Sequence, residues 1–295
     1  MKQVLSGKGI QVKAHAKINL TLEVLSKRED GYHNIISVMQ SISLHDLLHL
    51  VPSNKGIKIY CGHPRVPNDE SNLAYKAAEK LLEYTGIKKG VEIRIKKGIP
   101  VAAGLGGGSA DAAGVLLGLN KLWDLGIHLE DLSSLGMGLG ADVPFCIYGG
   151  TALARGIGEK ITPLPTAPKL DLILIKPPFG LSAGDIYKAY DKMTVDAAPN
   201  HQKLMEGLDR NDTTMIVDNV GNMLQAAAVK ARPKIQDLVD ILKGVGCPGV
   251  FMSGSGPTVC GVVESDTMAN DIMTRFSHSP MEVFLATTVG RGVCL

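Results

Sequence analysis

The chain has 295 residues, 45% of them hydrophobic and 20% charged, which is enough to bury the core of one large domain or two ordinary ones. A net charge of +2 and an aromatic content of 4% favour neither nucleic-acid nor membrane binding. The sequence has no signal-peptide pattern, no apolar stretch of membrane-spanning length and five cysteines without CxxC spacing. These features predict a cytoplasmic protein with free thiols.

Hydrophobic alternation marks the first element. Apolar and polar residues alternate over residues 10–24, which predicts a strand that is either long or bent. Lys17 and Asn19 are two residues apart and therefore share its polar face. That face either lines a site or is solvated. Residues 27–34 predict a turn, and residues 37–53 resume a strand-like pattern.

A helix and a short strand precede a glycine-rich loop. Residues 71–86 predict a helix, with Ser71 as its N-cap and Gly86 at its end. Residues 91–95 alternate as a strand, and a helix is predicted from Ser109 to about Trp123.

The second half mixes helices and strands irregularly. Residues 155–170 are the best candidate for a linker. The elements predicted beyond it are a buried strand at 169–178, helices near 182–191, 219–230 and 234–243, a strand–loop–strand at 249–263, a helix near 266–277 and a final strand at 281–289. This order favours an α+β fold over a doubly wound sheet.

The loop PVAAGLGGGSADAAG (100–114) has the composition of a phosphate cradle. Its clustered glycines permit positive φ and leave the backbone N–H groups accessible to an anion. The helix that follows brings a partial positive charge and unpaired N–H donors to the same place. Neither the P-loop pattern nor G-x-G-x-x-G is present, so the positive charge must come from elsewhere. A glycine-rich turn before a core helix is the alternative.

Two further segments favour the same ligand class. SGSGPT (253–258) is a glycine–serine loop between strands, either phosphate-binding or a plain polar hairpin. GADVPF (140–145) places Asp142 before an apolar run, as a candidate base or a turn cap. HDLLH (45–49) resembles a zinc motif, but it lies in a predicted strand rather than a helix, so zinc is not expected.

In their order and spacing, these segments resemble the GHMP small-molecule kinases. The matching motifs are AKINL (16–20), PVAAGLGGGSADAA (100–113) and MSGSGPT (252–258), and they span nearly the whole chain. DGYH (30–33) and GADVPFCIYGGTALARGIGE (140–159) resemble one branch of the family, whose substrate is a diphosphocytidyl derivative of methylerythritol in isoprenoid precursor synthesis.

The resemblance implies a two-domain α+β fold. Residues 1–163 would form an N-terminal domain like domain 2 of ribosomal protein S5, carrying the ATP-phosphate loop and the catalytic residues. Residues 164–295 would form a ferredoxin-like α/β sandwich carrying SGSGPT. The resemblance implies ATP and Mg²⁺ as cofactors, and we expect a monomer or a homodimer.

The resemblance also implies roles in phosphoryl transfer. Asp142 would take the proton from the attacking hydroxyl, Lys17 would steady charge beside it, and Asn19 would orient the methylerythritol. Ser109 would lie near Mg²⁺. The ATP phosphates are expected against Pro100, Val101, Ala102, Ala103, Gly104, Leu105, Gly106, Gly107, Gly108, Ser109 and Ala110.

The remaining implied roles concern the two bases. Tyr32 and His33 would recognise cytosine, with Tyr187 as a second aromatic. Asn72 and Lys97 are candidates for the adenine side. A second phosphate-binding loop is expected at Ser253, Gly254, Ser255 and Gly256.

Three functions stay open from the sequence. The first is the kinase acting on a cytidyl substrate. The second is a related kinase with a smaller substrate, in which Tyr32, His33 and Tyr187 would form no base pocket. The third is an anion-binding module without catalysis, in which Asp142 and Lys17 would be dispensable. A dinucleotide oxidoreductase is disfavoured by the glycine spacing.

Overall fold

The structure, a computed structural model, describes residues 9–195 and 198–295. Within these residues the helices are α1 (Leu73–Thr85), α2 (Gly107–Leu122), α3 (Leu129–Met137), α4 (Val143–Tyr148), α5 (Ala183–Tyr190), α6 (His201–Arg210), α7 (Thr213–Asp218), α8 (Leu224–Ala231), α9 (Lys234–Gly244) and α10 (Asp266–Phe276). The strands are β1 (Ile10–Asn19), β2 (Thr21–Lys27), β3 (His33–Ser53), β4 (Ile57–Cys61), β5 (Gly90–Lys96), β6 (Thr151–Gly156), β7 (Lys160–Pro163), β8 (Asp171–Lys176), β9 (Gly221–Asn222), β10 (Val250–Met252), β11 (Val259–Val263), β12 (Glu282–Thr287) and β13 (Val293–Cys294).

The larger sheet is organised around β3, a strand of 21 residues. β3 pairs antiparallel with β1, β2, β5 and β6 along different parts of its length. Strands β4 and β7 extend the sheet beyond β5 and β6. The central position of β3 places the polar residues of β1 next to the loop that follows β5.

The smaller sheet is antiparallel, in the order β10-β11-β8-β12. Helices connect β8 to β10 and β11 to β12, so the strand order and the crossovers are those of a ferredoxin-like sandwich. β8 is buried on both faces: Leu172 and Leu174 belong to the same hydrophobic core as the larger sheet, and Ile173 and Ile175 belong to a second core that includes residues of α8 and α9. The α+β prediction is therefore confirmed.

Helix α2 lies against β1 and β3 at close range. A Cβ at Gly118 would overlap Leu50 and lie 3.0 Å from Val12, and a Cβ at Gly114 would be 3.3 Å from Ala14. The glycines thus allow the helix to approach the sheet closely, which fixes the position of its N-terminal end. No helix in the described part of the chain is both long and apolar enough to cross a membrane.

Several predicted boundaries differ from the structure. The strand predicted over residues 10–24 is two strands, β1 and β2, separated at Leu20. Ser71 is not the N-cap of α1. That position belongs to Asn72, whose Oδ1 accepts from the Ala74 N–H at 2.9 Å. Ser71 and Asn72 are both good caps, and pattern alone does not choose between neighbours.

The predicted linker over residues 155–170 is only partly irregular, because residues 160–163 form β7. The short helices α3, α4, α6 and α7 were not predicted. A domain division between residues 163 and 164 stays a prediction. Two short strands from the second half, β9 and β13, pair with β2 and β1 of the larger sheet.

Candidate active site

The glycine-rich loop ends in an open helix N-terminus. Helix α2 begins at Gly107, two residues before the predicted start, and its N-cap is Gly106, with φ +69°. A glycine N-cap has no side chain to occupy the first N–H groups of the helix. These groups, together with the helix dipole, form a binding site for an anion such as phosphate.

A cavity of about 380 Å³ lies over this loop. Its walls include the predicted loop residues 100–109, Asn72 at the start of α1, and Lys97. Arg65, which the sequence did not single out, is also in the wall. Ala110, the last residue predicted for the loop, is buried inside α2. The cavity has the size and the anion-binding floor that a nucleotide requires.

Lys97 is held in a buried cluster beneath the loop. Its Nζ donates to Asp111 at 2.8 Å and forms an ion pair with Asp46, and all three side chains are less than one-tenth exposed. Oδ1 of Asp46 also accepts from the N–H groups of Gly98 at 2.7 Å and Ile99 at 2.9 Å. Asp46 thereby ties the start of the loop to strand β3.

Burial and neighbouring charges shift the pKa values of Asp111 and Lys97 in this cluster. Burial raises the pKa of Asp111 well above its ordinary value, and its Oδ1 has no hydrogen-bond partner within the described residues. Burial lowers the pKa of Lys97, but the charges of Asp111 and Asp46 outweigh that effect and raise it. Lys97 is therefore a cation. A Cβ at Gly107 would lie 3.3 Å from its Nζ, so the charge sits directly under the start of α2.

A second cavity, of about 260 Å³, contains the predicted catalytic pair. Nζ of Lys17 lies 3.3 Å from Oδ2 of Asp142 and donates to Oδ1 of Asn19 at 2.8 Å. Nδ2 of Asn19 in turn donates to the Ser37 hydroxyl at 2.8 Å. Lys17 is 5% exposed and Asp142 is 35% exposed. The polar face of β1 is therefore buried in a cavity at Lys17 and Asn19, while its first residues, Gln11 and Lys13, are exposed.

The side chain of Asp142 pairs with Lys17 and does not cap the helix that follows it. Asp142 occupies the N-cap position of α4, but its side chain makes no capping hydrogen bond to that fully described helix. Its polar neighbour is instead Lys17 on β1, which lies far away in sequence. The alternative role of a simple turn cap is thus not the one that the structure shows.

The SGSGPT loop closes over the glycine-rich loop. The Ser253 hydroxyl donates to the Gly104 carbonyl at 3.0 Å. A Cβ at Gly104 would overlap the Ser253 carbonyl oxygen and lie 2.9 Å from that of Gly256, and a Cβ at Gly254 would lie 3.3 Å from Nζ of Lys17. Because the loops interlock here, SGSGPT is not an isolated polar hairpin.

The two cavities meet at the loop. Gly104, Gly106 and Ser109 line both of them, and Gly254 and Ser255 line the second. A ligand anchored by its phosphates on α2 can therefore extend its terminal phosphate toward Lys17 and Asp142.

The predicted base-binding residues are only partly brought together. His33 stacks directly on Tyr187, with ring centroids 4.8 Å apart and planes 19° apart. Tyr187 also lines the cavity of Lys17 and Asp142, and burial raises its pKa. Tyr32 projects from the β2–β3 turn with 61% exposure. Among the described residues lining the two cavities, neither Tyr32 nor His33 is present.

Sequence reasoning missed three carboxylates. Asp46 was considered only as part of a zinc-like motif, and that motif lies on strand β3. Asp111 lies inside the quoted glycine-rich segment without a signal of its own, and Asp191, which binds His33, has no local signal either. Each acts through a partner distant in sequence, and no spacing rule reveals such a pair.

Comparison with known proteins agrees with this geometry. The GHMP kinases N terminal domain matches residues 72–150, and the GHMP kinases C terminal domain matches residues 204–280. The chain therefore belongs to the GHMP kinase family, and it has the two-part fold of that family.

Within the family, the full-length relatives point to one activity. A 4-diphosphocytidyl-2-C-methyl-D-erythritol kinase of Clostridium botulinum (strain Eklund 17B / Type B) is 42% identical over 95% of this chain and 100% of the relative. Its counterpart in Geobacillus sp. (strain WCH70) is 45% identical over 95% and 96%. A crystal structure of 4-(cytidine 5'-diphospho)-2C-methyl-D-erythritol kinase superposes with a TM-score of 0.79 at 32% identity, covering 95% of this chain and 100% of the other.

Proposed function

We propose that this chain transfers the terminal phosphoryl group of ATP to the 2-hydroxyl of 4-diphosphocytidyl-2-C-methyl-D-erythritol, a step of the non-mevalonate route to isoprenoid precursors. The observation that carries the proposal is the junction of the two cavities: the glycine loop that holds phosphates on one side borders the Lys17–Asp142 pair on the other. Full-length relatives with this activity support the choice of substrate.

The nucleotide is proposed to lie over the glycine loop. Its phosphates would accept hydrogen bonds from the first N–H groups of α2, and the SGSG segment would close over them from the second domain. Asn72 and Lys97 line the walls of this cavity, and we keep them as candidates for the adenine side of the nucleotide. Because Lys97 already binds two carboxylates, we assign it to holding the loop in place as well as to lining the nucleotide site.

Asp142 is proposed to accept the proton of the attacking hydroxyl. Phosphoryl transfer depends mainly on in-line placement and charge neutralisation, so the base needs only hydrogen-bond reach of the hydroxyl. Lys17 holds the carboxylate from one side and places a positive charge beside the reacting groups. Asn19, fixed by Lys17 and Ser37, would orient the methylerythritol hydroxyls.

The cytidyl end is proposed to bind at the β2–β3 turn, near Tyr32, His33 and Tyr187. Binding energy from this remote end would position the reacting hydroxyl. The exposed ring of Tyr32 is available for stacking, and His33 and Tyr187 join the turn to α5.

Mg²⁺ is proposed as the second cofactor. Within the described residues no group of three His, Cys, Asp or Glu side chains could hold a metal. This fits the ordinary behaviour of Mg²⁺, which is bound mainly by substrate phosphates and water with one or two protein oxygens. Ser109 lines both cavities and offers its hydroxyl for this purpose. When bound, the metal would neutralise charge on the transferred phosphoryl group.

The test is ADP release from Mg-ATP with three alcohols in parallel: 4-diphosphocytidyl-2-C-methyl-D-erythritol, mevalonate and homoserine. Turnover with the cytidyl compound alone is expected. Turnover with mevalonate or homoserine instead would retain the kinase site and reject the substrate. No turnover with any of the three would favour an anion-binding module without catalysis.

A further inference from the structure

A buried histidine lies in a polar cluster where the β2–β3 turn meets α5. His33 is 6% exposed, and its Nε2 lies 2.6 Å from Oδ1 of Asp191, the residue that follows α5. Oδ2 of Asp191 accepts from Nζ of Lys27, also at 2.6 Å. One face of the imidazole is covered by Tyr187. Stacking on Tyr187 and the hydrogen bond from Nε2 to Asp191 therefore fix the orientation of the imidazole ring.

The hydrogen bond to Asp191 determines which nitrogen of His33 carries the proton. Hydrogen bonds from Lys27 and from His33 hold the pKa of Asp191 below its ordinary value, so the carboxylate is ionised at neutral pH and can only accept. Nε2 must then be the donor. In a neutral imidazole with a proton on Nε2, Nδ1 is a hydrogen-bond acceptor.

Nδ1 is available for a ligand. No hydrogen-bond partner for it lies within residues 9–195 and 198–295. An acceptor held in one orientation distinguishes ligands by the group that they present to it. Cytosine carries an amino group at position 4, which donates, and uracil carries a carbonyl oxygen there, which only accepts.

We propose that Asp191 is a specificity-positioning residue: it holds His33 with Nδ1 as an acceptor, and this acceptor selects the amino group of a cytosine over the carbonyl oxygen of a uracil. The inference rests on the proposed function, which brings the cytidyl end of the substrate to this turn. Asp191 touches neither the reacting atoms nor the base, and it acts through His33.

The first measurement reads the tautomer directly, without substrate. In ¹⁵N-labelled protein above neutral pH, the His33 ring is expected to carry its proton on Nε2, with Nδ1 unprotonated. The His33→Gln variant assigns the signal among the eight histidines. In Asp191→Ala the ring is expected to become a mixture of tautomers. A wild-type ring protonated on Nδ1 would overturn the proposal.

The second measurement compares diphosphocytidyl-methylerythritol with its diphosphouridyl analogue. The wild-type protein is expected to prefer the cytidyl compound in kcat/KM by at least about tenfold, as one mismatched hydrogen bond to a base edge predicts. Asp191→Ala is expected to reduce this preference by roughly tenfold, mainly through the KM of the cytidyl compound. Asp191→Glu, which retains the carboxylate, is expected to restore part of the preference.

Lys27→Met is the matched control. It removes the other partner of Asp191 and leaves the Asp191–His33 bond in place. Lys27 is half-exposed, and such ion pairs contribute little, so the preference is expected to change by no more than about fivefold. If Lys27→Met and Asp191→Ala reduce the preference equally, the effect is structural and the proposal is wrong.

The remaining outcomes also decide. A preference unchanged in Asp191→Ala would overturn the proposal. If Asp191→Ala does not fold, Asp191→Asn replaces it. The amide of the new Asn can either accept from or donate to Nε2, so an intermediate preference and a mixture of tautomers are expected. An unchanged preference would again refute the proposal. If the wild-type protein phosphorylates neither nucleotide compound, the proposed function fails and base selection fails with it, while the NMR result still reports the tautomer separately.

Discussion

Replacing Gly104 with alanine tests whether the two glycine loops act as one cradle. Gly104 has φ +77°, which alanine adopts only at a cost. In addition, the new Cβ would overlap the Ser253 carbonyl oxygen and approach that of Gly256. Both obstacles are backbone atoms of the opposite loop, so the overlap can be relieved only if the loops separate.

The expected magnitude has two parts. The left-handed conformation costs an alanine about 1–2 kcal/mol. Separating the loops also breaks the Ser253–Gly104 hydrogen bond, worth about 0.5–1.5 kcal/mol. The total is about 1.5–3.5 kcal/mol, which corresponds to a decrease in Tm of roughly 3–14 °C. Because the loop that moves is the proposed phosphate cradle, affinity for nucleotide is expected to fall by roughly tenfold.

Gly126→Ala is the matched control. Gly126 has φ +65°, and a Cβ there meets nothing within 4 Å, so this variant carries the conformational cost without the overlap. Thermal melting and calorimetric titration with a non-hydrolysable ATP analogue measure both variants. Gly126→Ala is expected to bind nucleotide normally. If Gly104→Ala binds nucleotide as well as Gly126→Ala and is no less stable, the interlocked cradle is refuted.

Three further predictions concern individual side chains. Asp142→Asn is expected to lower kcat by roughly 10²–10⁴-fold with little change in nucleotide affinity, and near-normal turnover in steady-state assays would reject Asp142 as the base. Asp46→Ala leaves Lys97 short of a buried partner and should lower the free energy of unfolding by about 3–5 kcal/mol in denaturant titrations, whereas a loss below about 1 kcal/mol would contradict an anchoring role. In thiol titration of the native protein near neutral pH, Cys294 should react first, because the other four cysteines are buried and burial raises the pKa of Cys247 to about 11; rapid reaction of Cys247 would contradict this burial.

The parts of the fold that were predictable carry local signals. A pattern of a few neighbouring residues is enough to predict each of these elements: the alternation in β1 and β5, the apolar run of β8 and the glycine cluster before α2. The short helices α3 and α4 are not predictable from the pattern, because glycines surround them and each spans fewer than three turns. Helix α6 is polar overall and has no continuous apolar run, but Leu204 and Leu208 lie four residues apart on its buried face, so its spacing does carry a helical signal.

In the candidate site, too, motifs identify some of the residues but not the contacts between them. Lys17 and Asp142 could be named from motifs, but nothing in their spacing shows that they meet at 3.3 Å. Lys97 was expected at the nucleotide, yet its ion pair with Asp46 joins residues 51 positions apart. The contact between His33 and Asp191 spans 158 positions. Such partners are set by strand pairing and by the packing of elements that are distant in sequence, which residue patterns do not encode locally.

The most direct test of the central claim is to locate the transferred phosphate. The product formed from Mg-ATP and 4-diphosphocytidyl-2-C-methyl-D-erythritol is examined by proton-coupled ³¹P NMR. Carbon 2 bears a methyl group and no hydrogen, so phosphorylation of the 2-hydroxyl predicts a new phosphomonoester signal without three-bond coupling to hydrogen. A new signal split into a doublet or a triplet would place the phosphate on the 3- or the 1-hydroxyl, and the absence of any new signal would deny the reaction; either result would contradict the account.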